Sequence, residues 1–221
     1  MTDASVTDTY PAPTIVPLGD SALLVRFGTR LTDPANRAAI ALADLLESEP
    51  LAGVIEVVPS LVSVLLRCDP LAATDIAGEL RLRLFSLGTA ALPPARDWTI
   101  PVHFDGPDLD TVAQTLGMSR ADFISQHNAQ ALRVLATGFA PGFVYCGLHA
   151  DDLIVPRRAA VRAAVPPGTV LFAAGQTAIT ATELPTGWHI LGHTDFTNFD
   201  PGTTPATQLK GGDHVRFTVA T

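Results

Sequence analysis

The sequence has 221 residues, of which 47% are apolar and 16% are charged, and its formal net charge is −8. This composition is typical of a folded globular protein and argues against intrinsic disorder. An acidic chain is a poor candidate for broad binding to nucleic acid or to an anionic membrane, so neither is expected as a partner. The chain has no apolar run long enough to span a membrane, and residues 1–13 lack the basic and apolar regions of a signal peptide. We therefore expect a cytoplasmic protein.

The first half of the chain contains three predicted strands and two predicted helices. Asp33 and Pro34 have the pattern of a helix N-cap followed by proline at the first helical position. The order of the elements favours an α+β sandwich of the ferredoxin-like type, with its helices on one side of an antiparallel sheet. In chain order, we predict a strand over 22–27, a helix over 35–49, strands over 54–58 and 61–67, and a helix over 74–87.

Residues 86–97 are rich in glycine, proline and small side chains, which is typical of a linker. The predicted organisation is therefore a flexible tail over 1–13, a small α+β domain over 14–92 and a second domain over 93–221.

The second half has short apolar runs separated by many glycines and prolines, which indicates a closed or sandwiched all-β domain. Ser119 is predicted to cap a helix, with Asp122 in its first turn. The other predicted elements are a strand over 98–104, a helix over 107–116, a strand over 132–136, and short strands at 153–155, 170–173, 188–191 and 215–219.

Residues 138–145 combine glycine and proline with three aromatic side chains, among them Phe143 and Tyr145. A flexible linker would not carry aromatics in this way, so the loop is expected to be ordered. It either serves a binding site or forms a tight barrel corner.

Three arginines, Arg157, Arg158 and Arg162, fall within six residues of an otherwise acidic chain. The guanidinium group binds carboxylate or phosphate in a two-pronged geometry. The cluster therefore predicts an anion-binding pocket edge, with an intrachain ion-pair cluster or a solvated surface turn as the alternative.

Four further polar or aromatic residues are candidates for a pocket. Gln176 follows an apolar strand and a glycine, where an amide can point into a cavity. Trp188 is a pocket wall or plain core, and His193 binds a ligand or a backbone group. His127 stands at a predicted helix end, where a favourable interaction with the helix dipole is the simpler interpretation.

Cys68 and Cys146 form no CxxC pair and no zinc quartet, so no metal site is predicted. Both are interpreted as reduced, buried thiols, with a nucleophilic Cys146 as the alternative. The sequence also lacks a phosphate-binding P-loop, a GxSxG elbow, an HExxH motif and an EF-hand loop.

Several of these stretches resemble one family, the B subunit of 5-oxoprolinase, which is also called allophanate hydrolase subunit 1 or KipI-like. Residues 138–147 are similar to its GFxPGFxYxG loop. Residues 156–170 are similar to its PRxxxPRxxVPxGSV stretch, and residues 173–194 to its AGxQTGIYPxxSPGGWxxIGRT stretch. The order and spacing of these motifs extend the resemblance over nearly the whole chain.

The resemblance implies a small α+β domain followed by a cyclophilin-like β-barrel. It also implies a complex with a homologous cyclophilin-like C subunit and with the A-type subunit of the same enzyme, which together use ATP to open 5-oxo-L-proline to L-glutamate. This chain is expected to be inactive by itself. The resemblance further implies that arginines hold a substrate carboxylate or phosphate, that two polar side chains orient the lactam, and that aromatics form pocket walls. The implied catalytic residues are His127, Gln176 and Arg157, and the implied substrate-binding residues are Arg158, Arg162, Tyr145, Trp188, His193 and Phe143.

The chain departs from the family pattern at several positions. Val161 replaces the proline of the second PR pair, Thr180 replaces a tyrosine, and His193 replaces an arginine. Loss of that arginine removes a cation, because histidine is largely neutral near pH 7.

Alternative functions are inhibition of a sensor histidine kinase, a carboxyltransferase-type component of a urea carboxylase or allophanate hydrolase system, and prolyl isomerisation.

Overall fold

The computed structural model describes residues 10–87 and 94–220. The chain divides into two compact units, Met1–Pro94 and Ala95–Thr221. Most of the predicted tail over 1–13, and the predicted domain boundary near residue 92, lie outside the described residues.

The first unit has mixed α/β architecture. Its four strands form an antiparallel sheet in the order β1-β2-β4-β3. The elements in chain order are β1 (Thr14–Leu18), β2 (Ala22–Arg26), α1 (Asp33–Ser48), β3 (Val54–Pro59), β4 (Ser63–Cys68) and α2 (Ala73–Leu87).

Alternation along the central strands explains the core of this unit. Leu23 and Val25 of β2, together with Val64 and Leu66 of β4, are buried in one cluster with apolar residues of both helices. Alternate residues of a strand point to the same sheet face, so this face is the one that the helices cover.

Two details of the first unit differ from the sequence prediction. The strand β1 was not predicted, because Pro17 interrupts its short apolar run. The N-cap of α1 is Thr32 and not Asp33, and Pro34 occupies the first turn, where its missing N–H costs no helical hydrogen bond.

The second unit contains a seven-stranded sheet, a two-stranded sheet and two short helices. The elements in chain order are β5 (Asp97–Val102), α3 (Leu109–Thr115), α4 (Arg120–His127), β6 (Leu132–Thr137), β7 (Val144–Gly147), β8 (Arg162–Val165), β9 (Thr169–Ala173), β10 (Gln176–Ile179), β11 (Leu184–Thr186), β12 (His189–His193) and β13 (His214–Val219).

The large sheet has the order β12-β9-β10-β7-β6-β13-β5, and β11 pairs with β8. Its strands are antiparallel except for the parallel pair β13–β5. His103, just after β5, and His193, at the end of β12, exchange backbone hydrogen bonds of 2.8 and 3.0 Å. The two outer strands therefore meet at this bridge, so the sheet curls back on itself.

Buried clusters lie on both faces of the curled sheet, although β5 and β13 leave alternate residues exposed. One face packs against α3 and α4 in the main core, which contains Phe123 and Phe172. The other face packs a smaller cluster that contains Phe143, Leu171 and Trp188. The ferredoxin-like and cyclophilin-like descriptions of the two units stay predictions.

Several predicted elements of the second unit match the structure, and one does not. Ser119 caps α4 as predicted, since its Oγ accepts a hydrogen bond from the Asp122 N–H at 3.1 Å. The run 153–155 is not a strand. It belongs to an irregular loop whose Leu153 and Val155 side chains are buried in the core. The strands β7, β8, β10 and β11 were not predicted, since each is only three or four residues long and carries no clear alternation.

Candidate functional site

The loop over 138–145 and the strands β7, β9 and β10 build one face of the second unit, which we call the aromatic face and define by Phe143, Tyr145 and Trp188. The ring centroids of Phe143 and Tyr145 are 4.8 Å apart, and those of Tyr145 and Trp188 are 5.9 Å apart. Phe143 and Trp188 are buried, and Tyr145 is half-buried. The sequence-predicted loop is thus ordered, and its aromatics continue to Trp188.

Arg157 lies at the edge of the aromatic face. Its guanidinium carbon is 5.7 Å from the centroid of the Trp188 ring, a cation–π arrangement. Burial raises the pKa of Tyr145, and the nearby Arg157 charge opposes part of that rise. The Tyr145 hydroxyl therefore stays protonated at neutral pH.

Gln176 lies on the same side of the sheet as Tyr145. It shares a strand face with Ala178, which belongs to the aromatic-face cluster and pairs with Tyr145. The side chain is buried, and its Oε1 has no hydrogen-bond partner among the described residues. A buried carbonyl oxygen without a partner is costly, so its position calls for a donor that the described residues do not supply.

The other two arginines, Arg158 and Arg162, have a different partner from Arg157. Both Arg158 and Arg162 donate to the carboxylate of Asp108, and Arg162 does so at 2.7 and 2.9 Å. Ile190 N–H donates to the same carboxylate at 2.8 Å. The arrangement is an intrachain ion-pair cluster, the alternative that the sequence left open.

Asp108 was not identified from the sequence, and no local pattern marks it. Burial alone would raise its pKa, but hydrogen bonds from Arg162 and Ile190 and the two guanidinium charges outweigh that effect. The pKa therefore lies below the ordinary value, and Asp108 is charged at neutral pH. It holds β12 and the arginine segment 157–162 together.

His127 lies on the opposite side of the sheet from the aromatic face. It is fully buried in the main core, where its Nε2 is 2.8 Å from Thr177 Oγ1. His149 Nε2 contacts the same hydroxyl at 2.8 Å. Burial lowers the pKa of His127 to about 4 and that of His149 to about 3. Both rings are neutral at pH 7 and form an internal polar chain.

His193 is also away from the aromatic face. It ends β12, five residues after Trp188, which corresponds to about 16 Å along an extended strand. Its ring stacks on His103 at 4.7 Å, and its Nδ1 is 3.1 Å from Asp105 Oδ1. The structure thus brings together Phe143, Tyr145, Trp188, Gln176 and Arg157, but neither His127 nor His193.

The cysteines fit the simpler of the two interpretations. Cys68 and Cys146 are both free and buried. Burial raises the pKa of Cys146 to about 12, so its thiol is protonated and a poor nucleophile. Within residues 10–87 and 94–220, no helix is both long and apolar enough to cross a membrane.

The arrangement of strands and helices is found in a class of carboxyltransferase domains. The urea amidolyase of Kluyveromyces lactis matches 96% of this chain with a TM-score of 0.71 at 17% identity, and the match covers 15% of that larger chain. At this identity the likeness concerns the fold alone. The family model for the carboxyltransferase domain, subdomain C and D, matches residues 13–209.

Relatives of similar length define the family more narrowly. The B subunit of 5-oxoprolinase from Escherichia coli O157:H7 is 33% identical over 205 residues, which cover 90% of this chain and 93% of the relative. The protein of the same name from Bacillus subtilis is 30% identical and covers 90% of both chains. The chain therefore belongs to the carboxyltransferase subdomain C and D family, with B subunits of 5-oxoprolinase among its relatives, as the motifs predicted.

Two solved structures extend this picture. The crystal structure of TTHA0988 is 35% identical with a TM-score of 0.78 and matches 90% of this chain. The match covers 40% of that longer chain, so the same module occurs there within a larger polypeptide. The uncharacterized protein PH0987 of Pyrococcus horikoshii is 33% identical with a TM-score of 0.54, over 94% of this chain and 97% of its own.

Proposed function

We propose that this chain is the B subunit of an ATP-dependent 5-oxoprolinase that opens 5-oxo-L-proline to L-glutamate. The observation that carries the proposal is the agreement of three relatives that bear the name of this subunit, at 30–33% identity over 90% or more of this chain. The name of these relatives implies further subunits. The proposed partners are a homologous cyclophilin-like C subunit and the A-type subunit of the enzyme, and this chain is proposed to be inactive alone.

The chemistry explains why ATP would be needed by the complex. An amide carbon is a weak electrophile, because the nitrogen lone pair is delocalised onto the oxygen. Phosphorylation of the lactam oxygen makes the ring carbon electrophilic and supplies a leaving group. Water then adds to that carbon, the C–N bond breaks, and the nitrogen becomes the amine of a glutamyl acyl phosphate. A second water hydrolyses this acyl phosphate to L-glutamate and inorganic phosphate, while the phosphorylation step has released ADP. ATP is thus the proposed co-substrate of the complex.

The aromatic face is the proposed site of this chain. Tyr145, Trp188 and Phe143 form the apolar walls, and Arg157 and Gln176 provide polar groups at its edges. Arg158 and Arg162 act through Asp108 to hold the segment that carries Arg157. The burial of His127 favours a structural role over contact with the substrate.

A carboxyltransferase-type role in a urea carboxylase or allophanate hydrolase system is the second candidate, since the fold is shared with the urea amidolyase of Kluyveromyces lactis. The identity of 17% to that protein, against 30–33% to the 5-oxoprolinase relatives, favours the lactam. An adjacent or fused biotin carboxylase would favour the second candidate instead.

The test is ATP-dependent release of glutamate from 5-oxo-L-proline. The chain alone is compared with the chain mixed with its two candidate partners, the A-type and C-type subunits. We expect activity only in the full mixture, and a loss of at least about tenfold in Arg157→Ala and Gln176→Ala complexes that still assemble. Arg216→Ala, which removes an exposed arginine on β13, serves as the matched control and retains full activity. An assembled mixture without activity would remove 5-oxo-L-proline as the substrate.

A further inference from the structure

The aromatic face presents two polar groups that the rest of the chain leaves available. Arg157 forms no ion pair among the described residues, whereas Arg158 and Arg162 are both engaged by Asp108. Gln176 is more than nine-tenths buried, and its Oε1 lacks a donor among the described residues. One group attracts an anion, and the other requires an N–H or O–H.

The sheet register places Gln176 two strands away from Trp188, the residue that Arg157 covers. Gln176 pairs with Ala173 on β9, and Trp188 directly precedes His189, the partner of Phe172. Trp188 therefore stands opposite Ala173, two strands away from Gln176, which corresponds to about 10 Å between their Cα atoms. Arg157 covers the Trp188 ring, so its charge lies on the Trp188 side of Gln176.

Small residues of three strands surround Gln176 and form what we call the small-residue floor. Ala173 is its partner on β9, Ala178 lies two residues further along β10, and Gly147 lies on the other side, on β7, where an added Cβ would be 3.4 Å from Gln176 Cγ. The rings of Tyr145 and Trp188, 5.9 Å apart, border this floor. The Gln176 acceptor therefore lies on an apolar face, and the Arg157 cation lies at the Trp188 edge of that face.

From these contacts we infer that this chain by itself binds the lactam substrate, with Gln176 Oε1 accepting the lactam N–H and Arg157 pairing with the substrate carboxylate. The inference rests on the proposed function for the identity of the lactam. A lactam ring that carries an N–H and a carboxylate supplies both groups that these residues lack, a donor for Gln176 Oε1 and an anion for Arg157. The ring lies on the small-residue floor, against Tyr145 and Trp188.

The same features argue against ATP as the ligand of this face. A triphosphate carries several negative charges and is bound in proteins by several cations or by a glycine-rich loop of backbone N–H groups. Here Arg157 is the one arginine of the 157–162 cluster without an ion pair in the described contacts, and the sequence contains no P-loop. Binding of the lactam by this chain should therefore not require ATP.

Calorimetry on the isolated full-length chain tests the two contacts separately. We expect 5-oxo-L-proline to bind without ATP. 2-Pyrrolidinone lacks the carboxylate and N-methyl-5-oxo-L-proline lacks the N–H, so each should bind at least about tenfold more weakly. These comparisons use the unmodified chain and do not depend on the folding of any variant.

Matched variants assign each preference to its residue. Arg157→Ala should bind 5-oxo-L-proline and 2-pyrrolidinone with similar affinity, and Gln176→Leu should no longer distinguish 5-oxo-L-proline from its N-methyl form. Arg216→Ala should retain both preferences. A folded chain that binds no 5-oxo-L-proline, or variants that keep both preferences, would overturn the inference. If the assembled complex still released glutamate, the proposed function would stand. Lactam binding by an inactive, assembled complex would instead sink the proposed function and keep the site.

Discussion

Asp108 and Arg162 form a two-pronged ion pair in which Nη1 is 2.7 Å from Oδ2 and Nη2 is 2.9 Å from Oδ1. Arg158 and Ile190 N–H donate to the same carboxylate, so one buried anion satisfies three donors from two segments. The side chain of Asp108 is 7% exposed, whereas those of the two arginines are 26–27% exposed. The carboxylate is therefore the member of the cluster whose removal leaves the largest uncompensated charge.

Asp108→Asn should destabilise the second unit. The change leaves two partly buried guanidinium groups without their counter-charge, which costs roughly 3 kcal/mol in comparable buried pairs. Urea unfolding followed by tryptophan fluorescence measures the loss, because Trp98 and Trp188, the two tryptophans of the chain, both lie in this unit. Asp110→Asn is the control, since Asp110 is 78% exposed and its pair with Arg120 should contribute under about 0.5 kcal/mol. Equal losses in the two variants would contradict this prediction.

The arginine cluster shows how far local sequence reasoning reaches. Three arginines in six residues mark an anion site, but the anion that Arg158 and Arg162 bind is Asp108, about fifty positions earlier in the chain. Only the folded structure reveals that pairing, because Asp108 precedes α3 and Arg158 lies in a loop. Gln176 was identified because glycine and an apolar strand precede it, and the structure adds the missing information, namely that its Oε1 has no described partner.

In the fold, too, some elements follow from the local sequence and others depend on long-range pairing. The helices and the long apolar strands follow from periodicity, as α1 and β4 do. The strands β10 and β11 are only four and three residues long, and they form because long-range pairing with β9 and β8 completes their hydrogen bonds. The position of His127 could not be predicted either, since a histidine at a helix end has the same local sequence whether it faces solvent or the core.

Acid should destabilise the second unit well before its carboxylates protonate. The pKa of His127 is about 4 and that of His149 about 3 in the folded state, below the ordinary value of 6.5. Below pH 6.5 the two histidines are protonated in the unfolded chain but stay neutral in the folded chain. The free energy of unfolding therefore falls as the pH drops below 6.5. The slope approaches about 1.4 kcal/mol per pH unit for each histidine.

Urea unfolding between pH 7 and pH 5 measures that slope. His149→Gln should lower the slope of the free energy of unfolding against pH by the contribution of one histidine. Gln114→Ala is the control, because it removes an exposed side chain that carries no ionisable group, so the slope should stay as in the unmodified chain. A slope that His149→Gln leaves unchanged would show that these rings are not the acid-sensitive groups.

Gly192→Ala should disrupt the bridge at which the sheet curls back on itself. A Cβ at this position would overlap the His103 carbonyl oxygen and lie 2.9 Å from its carbon, and His103 pairs with His193 across the bridge. Backbone atoms cannot yield as a flexible side chain does, so we expect a loss of at least about 3 kcal/mol. Gly187→Ala, whose nearest neighbour would be 3.8 Å away, should change the midpoint of urea unfolding little. Similar midpoints for the two variants would argue against a tight closure.

Thr177→Val should weaken the fold without altering ligand preference. The Thr177 hydroxyl is 2.8 Å from Nε2 of both His127 and His149, so a methyl group in its place leaves two buried ring nitrogens without a partner. The expected loss is roughly 2 kcal/mol in urea unfolding, and Thr177→Ser, which keeps the hydroxyl, should lose about half of that.

The Thr177 variant also separates the two sides of the sheet. Thr177 follows Gln176 directly, but neighbouring side chains of a strand point to opposite faces. The affinity ratio between 5-oxo-L-proline and its N-methyl form should therefore stay unchanged in Thr177→Val, whereas Gln176→Leu abolishes it. A Thr177 variant that lost this discrimination while remaining folded would mean that the buried histidines control the aromatic face, in which case His127 would act on the substrate through Thr177 and β10.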